Sequence, residues 1–307
     1  VYISSSSATG LMEAAIRNGS RERVLALVNG AFAERFAHIA RACGREVETL
    51  ECPWGEAHDP AAVAAALQAG RFDAVTVVHS ETSTGALNPI ADLARVVHAA
   101  GDVMLLVDSV TGVAGAPVKT DEWELDFVFT GSQKALALPP GLALGVARTA
   151  LLERAETLPA RGVYYDLIEF DRYLAKNQTP NTPALSLMYA LAAQLDAIMG
   201  EGIEARWARH AAMAERTWRW VEEMTHAGVA LSVLAPAGAR SPTVTCIRLP
   251  EGHTGPDVAA AMKQRGWTIG SGYGKLRDTT IRVGHMGDHT LEGLEMLLEE
   301  LAAVLRP

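Results

Sequence analysis

Short runs of β-branched and aliphatic residues alternate with longer alanine-rich segments along the first half of the chain. From residue 1 to about 148, Val24 to Val28, Glu46 to Leu50, Ala74 to His79, Val103 to Asp108, Phe127 to Thr130 and Leu142 to Ala147 read as strands, and Val1-Tyr2-Ile3 opens the chain as another. Between them Leu11 to Arg17, Phe32 to Cys43, Pro60 to Ala69 and Pro89 to Ala100 read as helices. Near-continuous apolar strands separated by helices predict a mostly parallel sheet covered on both faces. Pro159 to Pro183 is richer in proline, tyrosine and polar groups and reads as a connecting excursion. A long helical stretch from Leu185 to about His226 follows. It leads to a second α/β block with strands near Val229 to Leu234, Val244 to Leu249 and Thr280 to Val283 and helices Gly255 to Arg265 and Thr290 to Leu305. The expected organisation is an α/β fold with a large domain over residues 1–190, then a linking helix and a small C-terminal domain over 191–307.

Composition narrows the function classes. With 307 residues, 49% of them hydrophobic, the chain can bury a sizeable core. Its formal charge of −9, without a Lys/Arg block, gives no footprint for nucleic acid or an anionic membrane surface. No apolar run approaches the roughly 20 residues of a membrane helix. The three cysteines, Cys43, Cys52 and Cys246, are too scattered for a disulfide framework and lack metal-ligand spacing. These features predict a cytoplasmic protein acting on small molecules, with no metal. The chain opens on a strand without an initiator methionine, which predicts a natural chain starting further upstream.

In open parallel sheets ligands bind beyond the carboxyl ends of the strands. Four such loops stand out. Ser4 to Gly10 precedes a helix whose free N–H groups and positive dipole end suit a phosphate. His79 to Gly85 puts several polar side chains at a strand end, and Asp108-Ser109 ends an apolar strand. Lys134 follows the polar turn Thr130 to Gln133 and precedes an apolar run, where an ammonium is disfavoured and its pKa is pushed down. A helix cap, a solvated turn, a strand-end cap and a snorkelling lysine each explain one of these alone. Their occurrence together, in this order, suggests a pyridoxal phosphate site in which an aspartate faces the pyridinium nitrogen and a lysine joins the aldehyde. No G-x-G-x-x-G opens a helix, and no Walker loop, G-x-S-x-G elbow or H-E-x-x-H occurs. Gly270 to Gly274 has the glycines of a dinucleotide loop but no following helix.

The wording of these segments is itself informative. Ser7-Ala8-Thr9-Gly10-Leu11-Met12-Glu13-Ala14-Ala15, His79 to Gly85, Val107 to Val110, Gly131 to Ala135 with Pro139-Pro140-Gly141, and Ile281 to Gly287 resemble, in order and across the whole chain, the class V aminotransferases of fold type I. The resemblance is strongest to the alanine–glyoxylate, serine–glyoxylate and serine–pyruvate branch. It implies a pyridoxal 5′-phosphate-dependent transaminase that moves an amino group from alanine or serine to glyoxylate or pyruvate by a ping-pong mechanism. It also implies a homodimer with active sites at the interface.

Carried over position by position, the resemblance makes Lys134 the lysine bonded to the cofactor and Asp108 the partner of its ring nitrogen. Phe32 falls where an aromatic ring stacks on the cofactor. Ser7, Ala8, Thr9, Ser132 and Gln133 would hold the phosphate, Thr82 would lie beside the phenolic oxygen, and Arg282 would clamp the substrate carboxylate. Gln178 and Thr182 lie in the segment that brings phosphate contacts across the dimer, and Gln178 stands where eukaryotic members carry tyrosine. Ser6 and Ala8 replace glycines common in relatives. Competing readings are a donor such as phosphoserine, a lyase or desulfurase of the same fold type, and a non-catalytic cofactor-binding module. Desulfurases need a cysteine in a Gly/Ser-rich loop, and none of the three is so placed.

Overall fold

The computed structural model describes residues 1–306 and places thirteen strands and ten α-helices. The first half contains β1 (Tyr2–Ser4), α1 (Ala8–Gly19), β2 (Arg23–Val28), α2 (Ala31–Ala42), β3 (Glu46–Glu51), α3 (Pro60–Ala69) and β4 (Ala74–Val78). The hairpin arms β5 (Ser80–Glu81) and β6 (Ala86–Leu87), then α4 (Ile90–Ala99), β7 (Met104–Asp108), β8 (Phe127–Gly131) and β9 (Ala143–Ala147) follow. Helices α5 (Thr149–Thr157), α6 (Leu167–Leu174), α7 (Leu185–Glu201) and α8 (Ile203–His226) lead to β10 (Ser232–Val233), β11 (Val244–Arg248), α9 (Gly255–Gln264), β12 (Gly270–Ser271), β13 (Thr280–Gly284) and α10 (Leu291–Leu305).

Seven strands form the large sheet in the order β1-β9-β8-β7-β4-β2-β3. Neighbours from β8 to β3 are parallel, whereas β9 is antiparallel to both β8 and β1. Alternation along the strands splits the core into two layers. Leu105, Val107 and Val128 pack with Val63, Leu93 and Val97 of α3 and α4, while Leu106, Phe127 and Phe129 pack with Leu11, Ile16 and Phe36 of α1 and α2. Each such side chain contributes about 1.5–3 kcal/mol when fully buried. Because the period is two, Asp108 shares the α1 face with Leu106 rather than the α3–α4 face.

A four-stranded antiparallel sheet, β10-β11-β13-β12, carries the second core, in which Ile247, Ile281 and Val283 meet Met213, Leu298 and Leu301. Helix α7 packs through Leu191 and Ile198 on Ala135, Leu136 and Leu142, so residue 190 falls inside a helix that leans on the large sheet. Among the described residues no helix is long and apolar enough to cross a membrane.

Several elements differ from the sequence expectation. The excursion over 159–183 contains helix α6, started by the Asp166 side chain accepting from Ile168 N–H and anchored by buried Leu167 and Phe170. Helix α5 also lay outside the pattern read from the sequence. The stretch from Leu185 to His226 is two helices, parted at Gly202, whose φ of +86° is in the left-handed region that glycine adopts without penalty. Strand β4 ends at Val78, and the chain from His79 turns back as the β5–β6 hairpin. Only Ser232–Val233 of the run Val229 to Leu234 pairs as strand.

Candidate active site

The carboxyl ends of β1, β2, β4, β7 and β8 point the same way, and the residues that follow them surround one cavity of about 150 Å³. Ser7, Ala8 and Thr9 reach it from the start of α1, Phe32 and Arg35 from α2, and Ser80 and Thr82 from the hairpin after β4. Asp108 and Val110 come from the end of β7, Gln133 and Lys134 from the turn after β8.

Helix α1 begins at Ala8, so Ala8 and Thr9 occupy its first turn. Ser7 is the N-cap but makes no side-chain cap bond, and the amides of Ala8 and Thr9 find no acceptor among the described residues. Three hydroxyl or amide donors therefore face a space at the positive end of a helix dipole, the arrangement that suits a phosphate. Close packing sets this helix against its neighbours: a Cβ at Gly10 would run into the Tyr165 ring.

Asp108 is 3% exposed. Its Oδ1 accepts from Val110 N–H at 2.9 Å, and no donor among the described residues reaches Oδ2. Burial raises its pKa to about 7, with the Glu81 carboxylate adding to the shift and the Val110 N–H, Lys134 and Arg35 opposing it. A buried carboxylate with one free oxygen is matched by a cation or an N–H donor in the cavity, which a protonated pyridinium nitrogen supplies. The loop carrying it is held by Thr130 Oγ1 donating to Val110 O at 3.0 Å. Behind it, His79 donates its backbone N–H to Asp108 O at 2.8 Å, its ring meets Ser109 Oγ at 3.0 Å, and burial holds the imidazole neutral with a pKa of about 4.

Lys134 is half-buried, and its pKa is lowered first by burial and then by the Arg282 charge, while Asp108 works in the opposite direction. Arg282, on β13, donates from Nε to Ser271 O at 2.9 Å and from Nη1 to Thr82 O at 3.4 Å. No carboxylate pairs with it among the described residues, so its outer edge remains available. The site thus combines an amine pushed toward neutrality, a buried carboxylate and a helix N-terminus, with the Arg282 guanidinium, which has no carboxylate partner among the described residues, beside the cavity lining at Thr82. The residues fit pyridoxal phosphate: a place for its phosphate, a carboxylate for its ring nitrogen and an amine for its aldehyde.

Not every residue singled out from the sequence meets this cavity. Ser132 is fully buried with its hydroxyl given to Pro139 O at 2.7 Å while accepting from Leu142 N–H, so it braces the turn instead of facing a phosphate. Gln178 lines a separate depression beside Tyr2 and Phe170, and Thr182 is exposed outside the cavity. None of the cysteines lines it, and Cys246 is buried in β11.

Arg35 and Glu81 had no role in the sequence reading. Arg35 lines the cavity one helical turn after Phe32, a spacing that helix periodicity could have flagged. Glu81 is fully buried and accepts from the N–H groups of Phe32, Ala33 and Ser83 and from Ser83 Oγ. Burial pushes its carboxyl upward and those bonds pull it down. Four donors directed at both oxygens favour the anion.

Comparison with known proteins bears on the same site. The aminotransferase class-V family matches residues 8–280. An uncharacterised aminotransferase of Methanocaldococcus jannaschii is 37% identical over 98% of this chain and 80% of its own length. The serine–glyoxylate aminotransferase of Methylorubrum extorquens is 32% identical over 94% of this chain and 74% of its own. Among solved structures, an alanine–glyoxylate aminotransferase from a Nostoc species has a TM-score of 0.92 at 30% identity, covering 99% of this chain and 81% of that one.

Proposed function

Because the chain belongs to the class-V aminotransferases and is a pyridoxal phosphate-dependent transaminase of fold type I, we propose that its amino donor is alanine or serine and its acceptor glyoxylate or pyruvate. The names of the serine–glyoxylate and alanine–glyoxylate relatives support that choice. The observation that carries the residue roles is that Lys134 and Asp108 line a single cavity.

When bound, the cofactor supplies an aldehyde that condenses with amines and a ring that accepts electrons. The first turn of α1, with the Ser7 and Thr9 hydroxyls and Gln133 beside it, binds the phosphate. Asp108 Oδ2 holds a proton on the ring nitrogen, and Phe32 and Val110 confine the ring. Arg282 binds the substrate carboxylate through its planar fork, a task a lysine performs poorly. Lys134 Nζ, whose ammonium form is disfavoured by burial and by the neighbouring Arg282 guanidinium, takes the proton from the substrate α-carbon and returns it. Donor and acceptor would use the same groups in turn, and because the amino group would stay with the cofactor while the first oxo acid leaves, the kinetics would be ping-pong. Thr82 lines the cavity with its Oγ1 3.3 Å from Thr111 Oγ1, and its hydroxyl would hydrogen-bond the cofactor's phenolic oxygen.

We also propose a cytoplasmic homodimer in which Gln178 and Thr182 serve the partner's site. Both lie outside their own chain's cavity, and the nearby α7 exposes Leu185, Tyr189 and Met199 to solvent. The three free, scattered cysteines support a reducing compartment.

Half-reaction spectroscopy tests the donor. Mixing holoenzyme with alanine or serine alone should shift the visible band to that of the aminated cofactor, and glyoxylate or pyruvate should restore it. If phosphoserine or aspartate converts the cofactor while alanine and serine do not, the donor proposal fails.

A further inference from the structure

Tyr273 lies between β12 and β13, and its side chain meets residues of α2 and of β13. Its ring stacks on Phe32, with centroids 5.2 Å apart and planes at 25°. Its hydroxyl accepts from Arg35 Nη2 at 2.7 Å, and the Arg35 guanidinium in turn lies 5.0 Å from the Phe32 centroid. The Arg282 guanidinium carbon is 5.6 Å from the Tyr273 centroid. Phe32 and Arg35 belong to α2 against the large sheet, and Arg282 belongs to β13 of the small one.

The backbone around Tyr273 is built to hold it there. A Cβ at Gly272 would run into Leu276 O and Thr280 Oγ1, so that residue packs without a side chain. Gly274 has a φ of +56° and sits against Trp54, whose ring lies 3.9 Å from Lys275 Nζ. A guanidinium on a long flexible stem offers two parallel N–H groups to a carboxylate only if its plane is fixed. Ser271 O and Thr82 O fix two of the Arg282 nitrogens, and the guanidinium carbon lies over the Tyr273 ring.

We infer that Tyr273 is a positioning residue of the carboxylate site: its ring orients Arg282 and ties that guanidinium to Phe32 on the cofactor wall. The inference rests on the carboxylate role of Arg282. It assigns the aromatic–cation column Phe32, Tyr273, Arg282 a task that spans the two sheets.

The test uses holoenzyme carrying Tyr273→Ala, Tyr273→Leu, Tyr273→Phe or, as control, Arg282→Lys. Tyr273→Ala should raise KM for both amino donor and oxo acid about tenfold, with kcat within about threefold of wild type. Calorimetric binding of propionate, an unreactive carboxylate, should weaken by a similar factor. Tyr273→Leu, which keeps bulk without a π face, should follow Tyr273→Ala, whereas Tyr273→Phe should stay within about threefold of wild type. Wild-type KM and propionate affinity in Tyr273→Ala or Tyr273→Leu would overturn the inference, as would a loss confined to kcat or to cofactor retention. Unchanged propionate affinity in Arg282→Lys would instead remove the carboxylate role from Arg282 itself.

Discussion

Glu81 Oε2 accepts from the backbone N–H of Phe32 at 3.2 Å, so a fully buried carboxylate in the hairpin after β4 holds the first turn of the helix that carries the aromatic wall of the cavity. The same oxygen takes Ala33 N–H at 3.0 Å, and a Cβ at Gly30 would run into the Glu81 side chain. An anion at a helix N-terminus is favoured by the dipole as well as by the bonds.

Glu81→Gln replaces one acceptor oxygen with an N–H₂ group facing donors. Leaving a buried donor unpaired costs about 1–3 kcal/mol, so the melting midpoint of the apoprotein should fall. A midpoint equal to wild type would show that the carboxylate does not hold α2.

Lys134→Ala should remove the visible band of lysine-bound cofactor and lower turnover by at least about 100-fold, the usual span of a positioned base. The absorption spectrum of reconstituted protein checks the first part. An unchanged spectrum would assign the covalent bond to another amine.

Asp108 makes the apoprotein pH-dependent. Its folded pKa of about 7 exceeds the ordinary value of 3.8. The native state therefore binds more protons than the unfolded chain between those values, and stability falls as pH rises from about 4 to about 7. Asp108→Asn removes that term. The apo variant should be more stable than wild type above pH 7, by on the order of a few kcal/mol, with the gap closing toward pH 4. In holoprotein the order reverses, because the carboxylate then has a cationic partner and Asp108→Asn weakens cofactor retention. Thermal melts of both forms across pH decide it; a gap independent of pH would mean Asp108 is not the titrating group.

Ser132→Ala should lower stability by about 1 kcal/mol through the lost bond to Pro139 O and leave cofactor affinity within about twofold. Equilibrium dialysis of the apoprotein with pyridoxal phosphate measures the second quantity. A large loss of affinity with unchanged stability would return Ser132 to the phosphate site.

Local pattern determined much of this protein. Apolar runs of strand length, alanine-rich helices between them and polar residues at the strand ends specified a parallel α/β sheet with its site at the strands' carboxyl ends, and Asp108 and Lys134 were legible because a charge at the end of one apolar run and at the start of another is locally anomalous. Strand adjacency, the position of β9 between β8 and β1, and the break at Gly202 were decided by tertiary packing, since each depends on partners distant in sequence. The same reason hid Glu81, Arg35 and Tyr273. Glu81 sat in one of the four loops singled out but with no role of its own, Arg35 in a helix, and Tyr273 in a glycine-rich turn. Only the fold brings the carboxylate of the first to the helix that carries the second, and the ring of the third between two sheets. Ser132 shows the converse: its place in a motif predicted a phosphate contact, and burial against Pro139 gave its hydroxyl a partner inside the protein instead.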